Sequence, residues 1–167
     1  MTSSAENRLT IDYRLTGAGW AECTIHFNQV ACKITASYLS DALAKLVLGA
    51  LGVVAELHSV SIGFDDEPGE YRWAIVRTGN GTCRVTVLSF PDWLPAHPDS
   101  SGEPLMIFEC SSVEFGKAVR DVASRVLAEY GSEGYVEKWD MPFPARELAL
   151  LEAWLAARDR TPSDHVH

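Results

Sequence analysis

The sequence predicts an α+β fold, in which about six strands form a mainly antiparallel sheet and two to three helices pack on one face of it. Apolar and polar residues alternate over residues 9–34 and again over 59–110, as in strands with one buried face. Apolar residues recur at helical spacing in three other stretches, 37–52, 111–131 and 142–155. The predicted order is therefore strand, strand, helix, four strands, helix, helix.

The first two strands are predicted to form a hairpin. Alternation runs from Leu9 to Leu15 and returns from Ala21 to Phe27, with the turn Gly17-Ala18-Gly19 between the two runs. The second strand can extend to Ile34. A helix should follow, with Ser37 or Ser40 as its cap and Gly52 as its end. Its buried stripe is predicted to contain five residues: Leu39, Leu43, Leu46, Val47 and Leu51.

Four more strands are predicted as an uninterrupted meander, over 59–64, 71–76, 83–88 and 105–110. An acidic turn at 65–69 joins the first two, and Gly79-Asn80-Gly81 forms a tight hairpin turn. A loop with four prolines, 91–104, precedes the last strand. In such a meander the connections 65–70 and 91–104 lie at the same end of the sheet.

Two helices are predicted to complete the domain. Ser111 and Glu114 have the spacing of a capping box, and Gly131 is expected to end the helix that they begin. Pro142-Phe143-Pro144 starts the last helix, in which Leu148, Leu151 and Leu155 form the buried stripe and Trp154 flanks it. Trp139 is expected to pack one helix on the other.

The length of 167 residues fits one domain, expected over 1–160, with a frayed tail at 161–167. The chain starts with a polar segment and contains no apolar stretch of about 20 residues, which predicts a cytoplasmic protein without a membrane span. Four cysteines, Cys23, Cys32, Cys83 and Cys110, form no C-x-x-C pair and are predicted to be buried free thiols.

The charge is strongly acidic and unevenly distributed. Fourteen Lys and Arg against twenty-three Asp and Glu give a net charge of -9. Such a charge disfavours nucleic acids and anionic membranes and favours a basic protein as partner. No basic residue lies between Lys45 and Arg72, or between Arg84 and Lys117. The predicted meander would bring both acidic segments to one end of the sheet.

Asp65, Asp66, Glu67 and Glu70 are the first candidate binding residues, because carboxylates at this density can attract a cation or a basic surface. Their spacing departs from that of a calcium-binding loop. We therefore expect a solvated turn whose acids cap backbone amides and pair with Arg72, with no metal and no cofactor.

The proline-rich loop supplies the other candidates: Asp92, Trp93 and His97. Trp93 is expected either to fold back on the core or to stand exposed as the anchor of an interface. No catalytic residue is assigned, because the chain contains neither a G-x-S-x-G elbow nor a glycine-rich loop that enters a helix. An alternative, a metal-assisted hydrolase, would use the acidic turn together with His97.

Several segments resemble a group of small bacterial proteins of unknown activity. They are the run from Phe64 to Trp73, Glu129-Tyr130-Gly131 with Gly134-Tyr135, Trp139, and Pro142-Phe143-Pro144. The resemblance covers about residues 39–155 and implies no activity or site. In size, acidity and layout the chain is also similar to immunity proteins that neutralise basic bacterial toxins.

The sequence thus favours a non-enzymatic, immunity-like domain that presents an acidic surface to a basic protein. A homodimer is a further expectation, because residues 105–108 are apolar on both faces of their strand. That strand should be covered by a neighbouring strand, by the last helix or by a second copy of the chain.

Overall fold

The computed structural model describes residues 8–92 and 97–160 and shows an α+β fold with seven strands and three helices in these ranges. Three strands precede the first helix: β1 (Leu9–Gly17), β2 (Trp20–Phe27), β3 (Val30–Ser37) and α1 (Ala42–Val54). Four strands follow: β4 (Ser59–Asp66), β5 (Gly69–Gly79), β6 (Thr82–Phe90) and β7 (Glu103–Ser111), with a 3-10 turn at Asp99–Ser101 before β7. The chain then forms α2 (Ser112–Trp139) and α3 (Ala145–Arg160).

The strands form two antiparallel sheets, β1-β2-β3 and β4-β5-β6-β7, rather than the single sheet of about six strands that was expected. The additional strand is β3, which the sequence analysis had merged into an extended β2. Asn28 turns the chain with a left-handed φ of 56°, and the residues after it pair back on β2, so that Phe27 faces Val30. The sequence carries a signal of this reversal, because the apolar positions shift by one residue at Asn28-Gln29, from odd-numbered positions before the turn to even-numbered positions after it.

The outer edge of β1 is covered by side chains of α2. Three hydrogen bonds reach its backbone: Leu9 N–H donates to Glu114 Oε1 over 2.9 Å, Leu15 N–H donates to the Tyr130 hydroxyl over 3.2 Å, and Arg125 donates to the Ile11 carbonyl. Backbone groups on a sheet edge can otherwise pair with another chain. Helix α2 therefore protects the β1 edge of the three-stranded sheet.

Helix α1 begins later and ends later than predicted. Asp41, not Ser37 or Ser40, is the N-cap, and its carboxylate accepts a hydrogen bond from Ala44 N–H. Leu39 consequently precedes the helix and is exposed instead of belonging to the buried stripe. The helix also continues past Gly52 to Val54, and a Cβ at Gly52 would lie 3.1 Å from Val60 and 3.2 Å from Leu57.

Helix α2 starts where it was predicted but does not end at Gly131. The Ser111 hydroxyl accepts a hydrogen bond from Glu114 N–H over 2.9 Å, as expected of a capping residue. At Gly131 the backbone leaves helical geometry (φ 69°), yet the helix resumes and continues to Trp139. Tyr135 and Trp139, on this second part, are fully buried. The glycine marks a kink and not a stop.

The core lies between the sheets and the helices. Trp73 of β5 is fully buried and meets Phe115 of α2 edge to face, with 6.1 Å between ring centroids. None of the helices in the described ranges is both long enough and apolar enough to cross a membrane.

Strand β7 is covered on its inner face by the chain itself. Met106 and Phe108 are buried, and the Phe27 ring stacks on Phe108 with 4.8 Å between centroids. The outward-facing Leu105 and Ile107 are exposed, Ile107 to 61%. One face of β7 is therefore covered by side chains of the same chain, as expected. The homodimer stays a prediction.

Candidate functional site

The candidate site lies at one end of the four-stranded sheet, where two connections meet. The strand order β4-β5-β6-β7 is the predicted meander, so the β4–β5 turn and the β6–β7 connection lie at one end and the β5–β6 turn at the other. Seven carboxylates occur on these two connections and their flanks: Asp65, Asp66, Glu67, Glu70, Asp92, Asp99 and Glu103. We refer to this region as the acidic end.

Arg72 joins the two connections. Its guanidinium donates to both carboxylate oxygens of Glu70, over 3.1 and 2.9 Å, and to Asp99 Oδ1 over 2.8 Å. It also donates to the His97 carbonyl over 2.7 Å. These bonds, above all the one to Glu70, raise the pKa of Arg72 above its usual value. The side chain is only 10% exposed, so a single buried cation links β5 to the segment before β7.

Two rings complete the surroundings of this guanidinium. The carbon at its centre lies 4.2 Å from the centroid of the Phe90 ring, within the range of a cation–π interaction. The His97 ring stacks on Phe90, with centroids 5.6 Å apart and planes inclined by 6°. His97 Nε2 lies 2.8 Å from Asp92 Oδ1, so the imidazole is held on both its face and its edge.

Two glycines provide the space for this arrangement. A Cβ at Gly63 would lie 2.9 Å from Glu70 Oε1, and a Cβ at Gly102 would lie 2.7 Å from the Phe90 ring. The segment 97–102 can therefore lie directly on the outer face of β6, where it buries Leu88 and Phe90. This part of the loop folds back on the sheet. Trp93 itself lies outside the described residues.

The remaining predicted site residues occupy the β4–β5 turn. Asp65 is opposite Glu70 in the strand register, and Glu67 is exposed at the turn. Asp66 accepts a hydrogen bond from the Thr35 hydroxyl of β3, which connects the acidic end to the other sheet. Asp65 and Glu67 form no ion pair with any residue of the described ranges.

Glu70 and His97, both considered as metal ligands, are engaged with other side chains in this structure. In residues 8–92 and 97–160, no group of three His, Cys, Asp or Glu side chains is arranged to hold a metal ion. The cation already present among the carboxylates is the guanidinium of Arg72, which would repel a metal ion there. His97, the imidazole invoked for the hydrolase alternative, is engaged with Asp92 and Phe90.

Three residues of the site were not singled out from the sequence. Asp99 lies in the acid-only segment, but nothing in its neighbours distinguishes it from the other acids. Phe90, directly before the proline-rich loop, reads as an ordinary strand residue. Thr35 comes from the other sheet, and its contact with Asp66 depends on how the two sheets meet.

We compared the chain with protein-family models, with curated proteins and with solved structures, and none of these comparisons finds a significant match.

Proposed function

We propose that this chain is a non-enzymatic binding domain that presents its acidic end to a basic protein, in the manner of an immunity protein. The observation that supports this proposal is the meeting of two acid-only connections at one end of a sheet. A surface with one sign of charge attracts a partner of the opposite sign over a Debye length, about 8–10 Å in physiological salt. The net charge of -9 adds to the same attraction.

The buried arginine gives this surface a fixed shape. Because Arg72 bonds to Glu70 and to the 97–99 segment, the two connections are held against each other before any partner arrives. A preorganised surface loses less conformational entropy on binding than two independent loops would. The exposed carboxylates of Glu67 and Glu103 then remain available to basic side chains.

The proposal can be tested with a pair of charge-reversal variants that have the same net charge. Glu67→Lys with Glu103→Lys changes the acidic end, whereas Glu133→Lys with Glu152→Lys changes two exposed acids on α2 and α3. Proteins retained from a lysate of the source organism by the immobilised wild-type chain would be purified. Their association rates with all three chains would then be measured over a range of salt concentrations.

We expect a basic protein whose association with the wild-type chain slows as salt increases. The acidic-end variant should associate at least tenfold more slowly, and the helix variant should differ from the wild type by no more than about twofold. Equal losses in both variants would show that net charge alone matters. That result, salt-independent association, or the retention of acidic partners only would overturn the proposal.

A further inference from the structure

Cys83 and Cys110 lie side by side on neighbouring strands. They are directly opposite each other in the β6–β7 register, and their sulfur atoms are 3.9 Å apart. Both are nearly fully buried on the inner face of the sheet. Twenty-seven positions separate them in the sequence, which is why no spacing motif predicts the contact.

The backbone is already suitable for a disulfide between these two residues. Directly opposite residues of an antiparallel pair have Cα atoms about 4.5–5.5 Å apart, and disulfides span about 4.4–6.8 Å between Cα atoms. The sulfurs must approach each other by about 1.9 Å to reach the bond length of about 2.04 Å. Rotation about the Cα–Cβ bonds can supply this movement without displacing the strands.

The two thiols share one sulfur–sulfur contact, in which either thiol can be the donor. When Cys110 donates, the bond lowers the pKa of Cys83 and raises that of Cys110. Burial raises the pKa of the other two thiols, Cys23 and Cys32. Since the thiolate is the nucleophile, Cys83 is the favoured site of attack on an oxidant.

Cys83 lines a small cavity. It has a volume of about 10 Å³ and is lined by eight residues: Val53, Glu56, Leu57, Val60, Ile75, Arg77, Cys83 and Ser112. This is the volume that one water molecule requires. Hydrogen peroxide has one oxygen atom more than water, so its entry requires a small displacement of the lining side chains, whereas an oxidised peptide such as glutathione disulfide is far too large for this cavity.

We propose that Cys83 and Cys110 are a redox-active pair that hydrogen peroxide converts into a cross-strand disulfide. The Cys83 thiolate attacks one peroxide oxygen, the O–O bond breaks, and a sulfenic acid forms as the other oxygen leaves as water after protonation. The Cys110 sulfur then attacks the Cys83 sulfur, and the sulfenic oxygen leaves as a second water. Two thiols and one peroxide thus give one disulfide and two waters, and the two electrons pass from sulfur to oxygen.

The bond would close a covalent loop around the β6–β7 connection. That loop contains Asp92, His97 and Asp99, so oxidation would tie together the two strands from which this part of the acidic end extends. The inference depends only on the cysteine geometry, and it stands or falls independently of the proposed function.

The test is mass spectrometry of the folded full-length chain before and after treatment with hydrogen peroxide. Trypsin cleaves after Arg84, which separates the two cysteines into the peptides 78–84 and 85–117. We expect a loss of about 2 Da per chain, a disulfide-linked pair of these peptides, and recovery of the original mass with a reducing agent. Cys32→Ser, which removes the more accessible of the other thiols, should form the same linked pair.

Cys83→Ser and Cys110→Ser should each abolish the linked pair. In Cys110→Ser the Cys83 sulfur should gain oxygen instead, because the partner that resolves the sulfenic acid is missing. Oxidation of Cys32 alone, disulfides between two chains only, or wild-type Cys83 that accumulates as sulfinic acid would each overturn the proposal.

Discussion

Replacing Arg72 with methionine should destabilise the protein substantially, because it leaves a buried carboxylate without its partner. The Glu70 side chain is 14% exposed and has both oxygens bonded to the guanidinium. Methionine retains the apolar stem of arginine but donates no hydrogen bond. Glu70 would then have to remain charged and unpaired, take up a proton, or move into solvent.

The magnitude follows from the burial of each partner. Removing one member of a buried ion pair destabilises by about 3–5 kcal/mol, and the Glu70 pair belongs at the lower end because neither side chain is completely buried. Asp99 is 57% exposed, so its ion pair contributes about 0–1 kcal/mol. We therefore expect the free energy of unfolding to fall by about 3 kcal/mol. For a chain of this size that corresponds to a Tm lower by about 6–12 °C.

An exposed ion pair with hydrogen bonds of similar length serves as the control for burial. Arg84 donates two hydrogen bonds, of 2.8 and 3.1 Å, to Glu109 Oε1, whereas Arg72 bonds to both oxygens of Glu70. The side chains of Arg84 and Glu109 are both more than half exposed. Arg84→Met should thus lower the stability by less than about 1 kcal/mol. Urea denaturation of both variants measures the two losses, provided that the slope m is unchanged. Equal losses, or a loss below about 1 kcal/mol for Arg72→Met, would refute the reasoning.

Two further predictions concern buried polar groups around β1 and α1. The buried Tyr13 hydroxyl has no hydrogen-bond partner among the described residues, so Tyr13→Phe should leave the free energy of unfolding unchanged or raise it. Tyr130→Phe removes the acceptor of the Leu15 N–H hydrogen bond and should lower the free energy of unfolding by about 1 kcal/mol. A larger loss in Tyr13→Phe than in Tyr130→Phe would contradict the prediction that the Tyr13 hydroxyl is unpaired. Burial raises the pKa of Asp41 above its ordinary 3.8, so the unfolded chain releases this proton first as the pH rises. The stability of the wild type relative to Asp41→Asn should therefore fall as the pH rises from about 3.8 through the folded-state pKa. Urea denaturation between pH 3 and 7 measures this difference in the free energy of unfolding. A difference that does not change with pH would exclude the linkage.

Most of the fold could be predicted because its elements have local signals. Alternation identified β1 and the meander, and the capping residue Ser111 located the start of α2. The separation of β2 from β3 was missed, although the apolar positions shift by one residue at Asn28-Gln29 and asparagine tolerates the left-handed conformation of a turn. The continuation of α2 past Gly131 depends on the burial of Tyr135 and Trp139, which is a property of the assembled core.

The candidate site was only half predictable, for a related reason. The meander alone was sufficient to bring the two acidic segments to one end of the sheet. The pairing of Arg72 with an acid of the turn was expected and is found at Glu70. The bonds of Arg72 to Asp99 and to the His97 carbonyl were not visible, because they join residues about 25 positions apart. The Cys83–Cys110 contact was hidden by the same kind of separation.

The acids of the acidic end therefore divide into two groups with different roles. Glu70 and Asp99 carry like charges that repel each other, and Arg72 offsets this repulsion because it bonds to both. Arg72 offsets one of these two negative charges, so the group presents less charge to a partner than two free carboxylates would. Glu67 and Glu103 have no such ion pair within the described ranges and face solvent. A substitution at Glu70 would therefore report on folding, whereas binding must be tested at Glu67 and Glu103.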